Sequence, residues 1–388
     1  MEHNARNGND MKKINQNAIL RMLYQKNMSS AELSRVLGLT RASVSNHLGE
    51  LTSDGLVMEV GTGESTRGRK PTLLDINPAY GYVAGLYLSR GTFIVGLTDM
   101  KGGVLKSAPV CARTDAVPKD MLDEAIRVLN TLIADVGVPG DKIIGMGVSV
   151  PGPVDTLSGV MLTPPGFEKW HNFPIVTTLS SMTGWKVFVE NNAISLTLAE
   201  LRYGHGREIS NYIYIVVDSG IGGGLVIGGH IYRGKSKFGT ELGHTSIKMD
   251  GRLCVCGNVG CLERYASIPA LLAEVFSPNE GVHSWHQVVE AAEAGDERCL
   301  RVMDREANYL AIALVNFVNV LEPEAVIFGG HLLHHPARMT WLLHDRIQRH
   351  MIMRDIRDIK VLPSALRDDI EVRAAAALVL DDFLQIKE

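Results

Sequence analysis

The sequence lacks any uninterrupted apolar run long enough to cross a bilayer, and its first residues, MEHNARNGND, lack the apolar core of a secretory signal. These absences argue against an integral helical membrane protein and against a secreted one. Hydrophobic residues make up 45% of the 388 positions and charged residues 21%, which is ordinary for a globular protein. We therefore expect a cytoplasmic protein with no membrane partner, and a chain of this length should form two or three domains.

Cysteine is also scarce: the chain has five. Five cysteines are too few for a disulfide-stabilised framework of this size. Three of them, Cys254, Cys256 and Cys261, nevertheless lie within the eight residues CVCGNVGC. Together with the upstream His244 they give the spacing H-x9-C-x-C-x4-C, and this donor set would fill a tetrahedral zinc shell. Since such a shell leaves no position for an activated water, we predict a structural zinc ion. The alternative is a loop of reduced, unliganded thiols.

The chain has no strong net charge, no short internal repeat and no low-complexity segment. The formal charge of −4 is unevenly divided, however: residues 1–77 carry ten Lys/Arg against eight Asp/Glu, and the remainder carries 29 against 35. An amino-terminal segment with a positive balance can approach a polyanion that the acidic remainder would avoid.

Residues 14–53 carry three short helical patterns separated by turn signals. Ser29–Ser30 is predicted to cap the second helix, Gly38 to end it, and Thr40 to cap the third. Because the tripeptide GLT joins the second and third helices, they are typical of a helix-turn-helix with the third helix as the reader. The expected apolar faces are Ile14, Ala18, Ile19, Met22 and Leu23 in the first helix, Leu33, Val36 and Leu37 in the second, and Val44, Leu48 and Leu51 in the third.

A strand, a glycine-rich tip and a second strand follow in GLVMEVGTGESTRGRKPTLLDINP, which indicates a winged helix. Polar residues of the third helix suit hydrogen bonds to bases and phosphates, and the basic tip suits the minor groove or a phosphate row. Small helical triplets also serve as protein-docking modules, but the order helix–helix–helix–basic hairpin favours DNA. The candidate DNA-binding residues are Thr40, Arg41, Ser43, Ser45, Asn46, His47, Arg67, Arg69 and Lys70.

The rest of the chain alternates apolar strands with helical segments and has glycine-rich turns at strand ends, which predicts an α/β fold. Its motifs VSVPGPVD, VFVENNAISLTLAE, SGIGGGLVIGGHIYRG, GTELGH and CVCGNVGCLE occur in an order that resembles the ROK family of repressors, open reading frames and kinases. The resemblance covers essentially the whole chain, since the repressor branch adds an amino-terminal winged helix.

The resemblance implies an actin/hexokinase-like, or ribonuclease H-like, domain of two α/β lobes with a sugar in the cleft between them. The expected division is a winged helix-turn-helix at residues 1–77, a first lobe at 78–190 and a second lobe with the zinc site at 191–370. A carboxy-terminal helix at 371–388 should pack back on the first lobe.

The same resemblance implies a set of sugar-contacting residues. His244 would bind zinc through one ring nitrogen and face the sugar with the other, so that zinc holds the neighbouring carboxylates in register. Carboxylates and amides suit a sugar because they accept and donate hydrogen bonds in fixed directions. The candidates are Asn191, Asn192, Glu241, His244 and Glu263, with Asn172 contributed from the neighbouring lobe.

Three departures from the kinase pattern argue against phosphorylation. Kinases that resemble this chain have an aspartate as the general base where this chain has Asn192, and an amide cannot take up the sugar proton. Their first phosphate loop, Asp-x-Gly-Gly-Thr, is replaced by YLSRGT, so that side chains obstruct the approach of phosphate. The second phosphate stretch carries Asp218 and Ser219 where Gly-Thr is usual.

The sequence therefore predicts a non-enzymatic, sugar-responsive transcriptional regulator, and a repressor best fits the pattern. It would bind operator DNA as a homodimer or tetramer and sense a monosaccharide. One alternative is an active ROK sugar kinase with an appended DNA-binding domain, and another is a DNA-binding scaffold that responds to a protein partner. Xylose, glucose, N-acetylglucosamine and phosphorylated sugars all fit the residues, and the ligand could either release the operator or strengthen binding.

Overall fold

A computed structural model describes residues 8–64, 70–111, 116–352 and 354–384. None of the helices in these segments combines the length and apolar character needed to cross a bilayer. The α-helices are α1 (Gly8–Gln25), α2 (Ser30–Leu37), α3 (Arg41–Ser53), α4 (Pro118–Val136), α5 (Ile175–Thr183), α6 (Asn192–Tyr203), α7 (Glu263–Ala266), α8 (Ile268–Val275), α9 (Trp285–Glu293), α10 (Glu297–Leu321), α11 (Ala337–His350) and α12 (Ile370–Phe383). The strands are β1 (Met28–Ser29), β2 (Val57–Thr62), β3 (Thr72–Ile76), β4 (Tyr82–Leu88), β5 (Phe93–Asp99), β6 (Val104–Pro109), β7 (Ile143–Val150), β8 (Val154–Asp155), β9 (Val160–Met161), β10 (Val187–Asn191), β11 (Tyr212–Val217), β12 (Ile221–Ile227), β13 (His230–Tyr232), β14 (Ala325–Gly330) and β15 (Lys360–Pro363).

The amino-terminal domain is a three-helix unit with a small antiparallel sheet in the order β1-β3-β2. Its helix ends form where the side chains predict them. Ser29 caps α2 in a reciprocal capping box with Glu32, and Gly38 ends that helix in the left-handed conformation at φ 66°. Thr40 Oγ1 accepts the backbone N–H of Ser43 at 3.2 Å at the start of α3.

Two of the predicted apolar positions in this domain are wrong. Ile14 is 40% exposed and Val36 is 52% exposed, because α1 and α2 turn only part of their apolar stripes inward. The predicted positions Ile19, Leu23 and Leu33 are fully buried, and they form the core with residues of α3 and the two longer strands.

The two larger sheets share one topology, which confirms the expected two-lobed α/β fold. Their strand orders are β10-β7-β4-β5-β6 and β13-β12-β11-β14-β15. In each sheet three consecutive strands form an antiparallel meander, and two further strands add in parallel beside the first strand of the meander. The two lobes are thus a structural duplication.

Helices α6 and α12 pack against each other, and they connect the two sheets. Helix α12 lies on β4, β5 and β7 of the first sheet, where a Cβ added at Gly147 would lie 1.8 Å from the carbonyl oxygen of Ala375. Helix α6 also packs on β12 of the second sheet. The boundary predicted between residues 190 and 191 falls at the last residue of β10, just before α6. Residues 385–388 of the predicted terminal helix lie outside the described residues.

The amino-terminal domain is joined to the first lobe by a shared core and by polar contacts. Leu23 and Tyr24 of α1 belong to one buried cluster with Val379 and Leu380 of α12. The hydroxyls of Tyr24 and Tyr203 lie 2.6 Å apart at the carboxyl end of α6. The two domains therefore meet at the end of α6 that lies away from the cleft.

A lysine of the first lobe reinforces this junction. The ammonium of Lys101 donates to the backbone carbonyl of Leu23 at 3.2 Å and pairs with Asp75 of β3 at 2.6 Å. A cation at the carboxyl end of α1 is favourable because the last carbonyls of a helix are unpaired and carry partial negative charge.

Candidate functional site

The cysteine cluster lies on an irregular loop between β13 and α7. Two isolated bridges, Ser246 to Cys261 and Leu253 to Val259, fold this loop back on itself. The wrap needs glycine: Gly260 has φ 77°, and a Cβ there would lie 1.8 Å from the carbonyl oxygen of Lys248. The fold therefore brings all four predicted ligands, distant by up to 17 residues, to one point.

The geometry of the four ligand atoms fits a tetrahedral metal ion. One atom from each of His244, Cys254, Cys256 and Cys261 lies within 4.8 Å of the others. The Sγ atoms of Cys256 and Cys261 are 3.7 Å apart, and Cys254 Sγ is 3.6 Å from His244 Nδ1. A tetrahedron built on a Zn–S distance of about 2.3 Å has S···S edges of about 3.8 Å. The cluster is therefore compatible with a metal site that uses Nδ1 of His244.

Protonation of the thiols bears on metal loading. Burial raises the pKa of Cys261 to about 12, so without metal this thiol keeps its proton at neutral pH. The backbone N–H of Asn258 and neighbouring thiols lower the pKa of the exposed Cys256. A cation that binds here must displace the Cys261 proton, so loading should strengthen as pH rises.

The two candidate amides at the end of β10 have different local roles. Asn191 caps α6, because its Oδ1 accepts the backbone N–H of Ala193 at 2.8 Å. Asn192 Oδ1 accepts the hydroxyl of Ser149 at 2.8 Å, and its Nδ2 donates to the carbonyl of Leu88 at 2.9 Å. Asn192 is therefore held on both sides as an amide, since a carboxylate has no hydrogen to donate to Leu88.

The acid before these amides connects the two lobes. Glu190 is 5% exposed, and its carboxylate pairs with the guanidinium of Arg233, which follows β13 of the second lobe. Its other oxygen accepts the N–H of Asn191 at 2.8 Å. Glu190 thus ties the end of β10 to the second lobe.

Three of the candidate sugar residues gather on the second lobe. Burial, and the neighbouring carboxylate of Glu263, raise the pKa of Glu241, whereas the charge of His244 opposes the increase. Glu263 accepts the backbone N–H of Ile221 at 3.0 Å at the start of β12. His244 directs Nδ1 toward Cys254, and its charge acts on Glu241.

Asn172 does not join the other candidates through any hydrogen bond in the described part of the chain. Its side chain is exposed, and its backbone has φ 55° with the N–H donating to Leu162 O at 2.8 Å. Its assignment to the sugar stays a prediction.

The β4–β5 and β11–β12 turns, which the resemblance aligns with phosphate loops, each carry a charged side chain that contacts another part of the chain. Arg90, in the β4–β5 turn, donates from Nε to Pro165 O at 3.1 Å and reaches Ser219 O at 3.5 Å. Asp218, in the β11–β12 turn, pairs with His331 Nε2 at 2.8 Å. Although burial opposes it, the bond and charge of His331 lower the pKa of Asp218, and Asp218 raises that of His331. A carboxylate and a lobe-spanning arginine therefore occupy this end of the cleft.

On the amino-terminal domain, α3 turns a polar face outward. Arg41, Ser45 and Asn46 are exposed, and Ser43 and His47 are half-buried. Thr40 is exposed but uses its hydroxyl as the helix cap. Lys70 is exposed, whereas Arg67 and Arg69 lie outside the described residues.

Sequence reasoning missed Ser149, Arg233 and His331, which support Asn192, Glu190 and Asp218 respectively. Ser149 lies on β7 beside β10, and its partner is 43 residues away. Ser149 lies within the motif VSVPGPVD and Arg233 within GGHIYRG, but nothing in either residue type indicated its partner.

Comparison with known proteins gives two family matches. A model described as the ROK family matches residues 85–382, and one described as a helix-turn-helix domain matches residues 17–60. The two matches fall on the two-lobed body and on the three-helix unit.

The individual relatives include both repressors and kinases. The xylose repressor of Bacillus subtilis is 28% identical over 97% of both chains. The glucokinase of Thermotoga maritima is 29% identical, covering 76% of this chain and 96% of its own. A solved ROK family transcriptional regulator, a homologue of the E. coli Mlc protein, superposes with a TM-score of 0.81 at 26% identity, covering 97% of this chain and 98% of its own. From the sheets, the cleft motifs and these matches, the chain belongs to the ROK family and carries an amino-terminal helix-turn-helix domain.

Proposed function

We propose that this protein is a sugar-responsive DNA-binding transcriptional repressor that binds its sugar without phosphorylating it. The observation that carries the proposal is the fusion of an exposed recognition helix to a ROK body in which Asn192 replaces the general base. Relatives named as repressors match the chain from end to end, whereas about a quarter of it has no counterpart in the T. maritima glucokinase.

The sugar would lie in the cleft between the end of β10 and the second-lobe carboxylates. Glu241, Glu263 and the free nitrogen of His244 would accept and donate hydrogen bonds to its hydroxyls, and Asn191 and Asn172 would approach from the first lobe. His244 and the three clustered cysteines would hold a zinc ion, which supplies structural support. Because His244 belongs to both sets, the metal would fix its ring for the sugar.

Helix α6 provides a route from the cleft to the DNA-binding domain. Its first residue, Asn192, contacts the first lobe at the cleft, and its last residue, Tyr203, contacts Tyr24 of α1. Its 12 residues span about 18 Å at 1.5 Å per residue. A sugar that prefers one lobe arrangement would shift this helix and so change the affinity for the operator. The coupling is reciprocal, so operator binding must change the affinity for the sugar by the same factor.

The repressor would act in the cytoplasm as a homodimer or higher oligomer, since paired recognition helices read two half-sites at fixed spacing. In α3, Arg41, Ser45 and Asn46 would contact bases and phosphates. Lys70 and the predicted basic tip beside it would contact the backbone or the minor groove.

The test is a gel-shift titration of the full-length protein on DNA from its own promoter region, with and without xylose, glucose and N-acetylglucosamine. Xylose is the first choice because three of the full-length relatives are named xylose repressors. We expect at least one sugar to change operator affinity by roughly 5–150-fold, the usual range of allosteric coupling. Unchanged operator affinity with every sugar that binds would refute the proposal.

Arg41→Ala serves as the DNA-side variant in the same experiment. Loss of one arginine contact should weaken operator binding by about 1–3 kcal/mol and leave sugar affinity intact. Arg301→Ala, which removes an exposed arginine of α10, is the control and should change neither. Equal damage to sugar and DNA binding by Arg41→Ala would mean that α3 is part of the core and not a reader.

Asn192→Asp is expected to destabilise the protein and not to create a kinase. The new carboxylate would face the carbonyl of Leu88, now 2.9 Å from the amide nitrogen, without a hydrogen to share. Leaving that half-buried pair unsatisfied should cost about 1–3 kcal/mol in urea unfolding. Since Arg90 and Asp218 still occupy the phosphate end, ADP release with a panel of hexoses and pentoses should stay at background for both proteins. Turnover at ordinary kinase rates by the natural chain would instead establish the kinase alternative.

A further inference from the structure

Outside the cleft, the second lobe carries a compact group of imidazoles and carboxylates that the proposed function does not use. His286 and Glu290 lie one turn apart on α9, with His286 Nδ1 3.2 Å from Glu290 Oε2. The ring of His334 stacks on that of His286, with centroids 3.7 Å apart and an interplanar angle of 23°. These three side chains come from two segments separated in sequence by more than 40 residues.

Both segments are fixed by buried neighbours, so the group is not a chance meeting of mobile side chains. Trp285, next to His286, is 1% exposed, and Leu332, two residues before His334, is fully buried. A second contact of the same kind joins the two segments: His335 Nδ1 lies 2.9 Å from Glu293 Oε1. The group therefore sits on a rigid seam between α9 and the turn that precedes α11.

The geometry matches the needs of a small cation. One ring nitrogen from each of His286 and His334 and one carboxylate oxygen of Glu290 lie within 4.8 Å of one another. Ligands at about 2.0–2.2 Å from a tetrahedral ion are about 3.3–3.6 Å apart, close to the separation of His286 and Glu290. His334 Nε2 is buried and has no hydrogen-bond partner among the described residues.

Hydrogen bonding alone leaves this arrangement poorly explained. Two stacked imidazoles repel each other when both are charged, and a buried ring nitrogen without a partner is unfavourable. An imidazole binds a metal ion in its neutral form, through the ring nitrogen that carries no proton.

We propose that His286, Glu290 and His334 form a second metal site, which binds a divalent transition cation of the zinc, nickel or copper type. Two imidazoles and one carboxylate select these ions over calcium and magnesium, which prefer all-oxygen shells. Three protein ligands leave at least one position for solvent, so the ion should exchange more readily than one held by the cysteine cluster. Bound metal would clamp α9 to the turn at residues 331–335, whose first residue, His331, pairs with Asp218 at the cleft.

The experiment is a titration of the full-length protein with Zn²⁺ by calorimetry, after the cysteine cluster has been saturated and excess metal removed by gel filtration. We expect one further binding event per chain. His286→Gln and Glu290→Gln should each weaken that event at least roughly tenfold, and both alter exposed residues that the fold does not need. His350→Gln, at an exposed histidine outside the group, is the matched control and should bind as the natural chain does.

Cobalt distinguishes the two sites directly. Co²⁺ bound by thiolates gives an intense sulfur-to-metal charge-transfer band, and Co²⁺ bound by imidazole and carboxylate does not. The second equivalent of Co²⁺ should add weak visible bands without further charge-transfer intensity, and His286→Gln should lose them. The absence of a second equivalent, or a second equivalent that persists unchanged in both His286→Gln and Glu290→Gln, would overturn the proposal.

Discussion

Cys256→Ser is expected to release the metal from the cysteine cluster and to weaken sugar binding and thermal stability together. Cys256 is exposed, so the substitution itself costs little packing energy, and the loss should come from the missing thiolate. If free zinc stands at about 1,000 times the Kd of the intact site, bound zinc stabilises the fold by about 4 kcal/mol, and a variant that no longer binds zinc loses that amount. For a lobe of this size that corresponds to a decrease in Tm of roughly 10 °C.

The control for this variant is Cys111→Ser, which removes an exposed thiol outside the cluster. It should leave zinc content, Tm and sugar affinity unchanged. Zinc content is measured by metal analysis after dialysis, and sugar affinity by calorimetry. If the metal-free protein keeps full sugar affinity, then His244 is not positioned through the metal, and the proposed coupling is wrong.

Glu306→Gln is expected to stabilise the protein at neutral and alkaline pH. Glu306 lies on α10 in the core of the second lobe, is fully buried, and neither oxygen has a partner among the described residues. Burial alone raises the pKa of this carboxyl well above its ordinary value. The folded protein therefore keeps a proton on Glu306 that the unfolded chain releases at neutral pH. As a result, the free energy of unfolding decreases as pH rises.

The sign of the pH dependence follows from linkage. Below about pH 4.3 the group is protonated in both states and imposes no titration cost. Above that pH, stability falls by about 1.4 kcal/mol per pH unit until the pH passes the raised pKa of the folded state. At pH 7.5 Glu306→Gln should therefore raise the free energy of unfolding by up to about 4 kcal/mol, and at pH 5 by less than about 1 kcal/mol, limits set by how far each pH lies above the ordinary carboxyl pKa.

Urea unfolding at the two pH values measures this difference. Glu208→Gln, at an exposed glutamate, is the matched control and should have little effect at either pH. Glu306→Met, which also removes the buried polar atoms, should stabilise at least as much as Glu306→Gln. Equal stability of the natural chain and Glu306→Gln at pH 7.5 would show that the carboxyl is paired or hydrated in the folded protein.

Several parts of the fold followed from local signals in the sequence. The caps at Ser29 and Thr40 and the helix end at Gly38 form as predicted, since each depends on a side chain or conformation within a few residues. The α/β character and the ROK body followed from strand-end glycines and ordered motifs. The exposure of Ile14 and Val36 could not be predicted, because helical spacing shows that a face exists but not how much of it a partner covers.

For the candidate site, sequence spacing identified four candidate metal ligands, and the structure brings one atom of each to within 4.8 Å of the others. The substitution at Asn192 was also evident from the sequence. What the sequence did not disclose is that this amide is held by Ser149 on one side and Leu88 on the other. The contact with Ser149 depends on the parallel pairing of β7 with β10, which no local pattern encodes.

The sequence by itself indicated the parts of this protein: a helix-turn-helix, a set of four candidate metal ligands, and the ROK body with Asn192 at the end of β10. Only the tertiary structure decided how these parts are connected. It showed that the lobes are a duplication, that α6 runs from the cleft to Tyr24 of the DNA-binding domain, and that His286 meets His334. Composition and spacing act over a few residues, whereas these contacts depend on sheet pairing and helix packing between segments far apart in the chain.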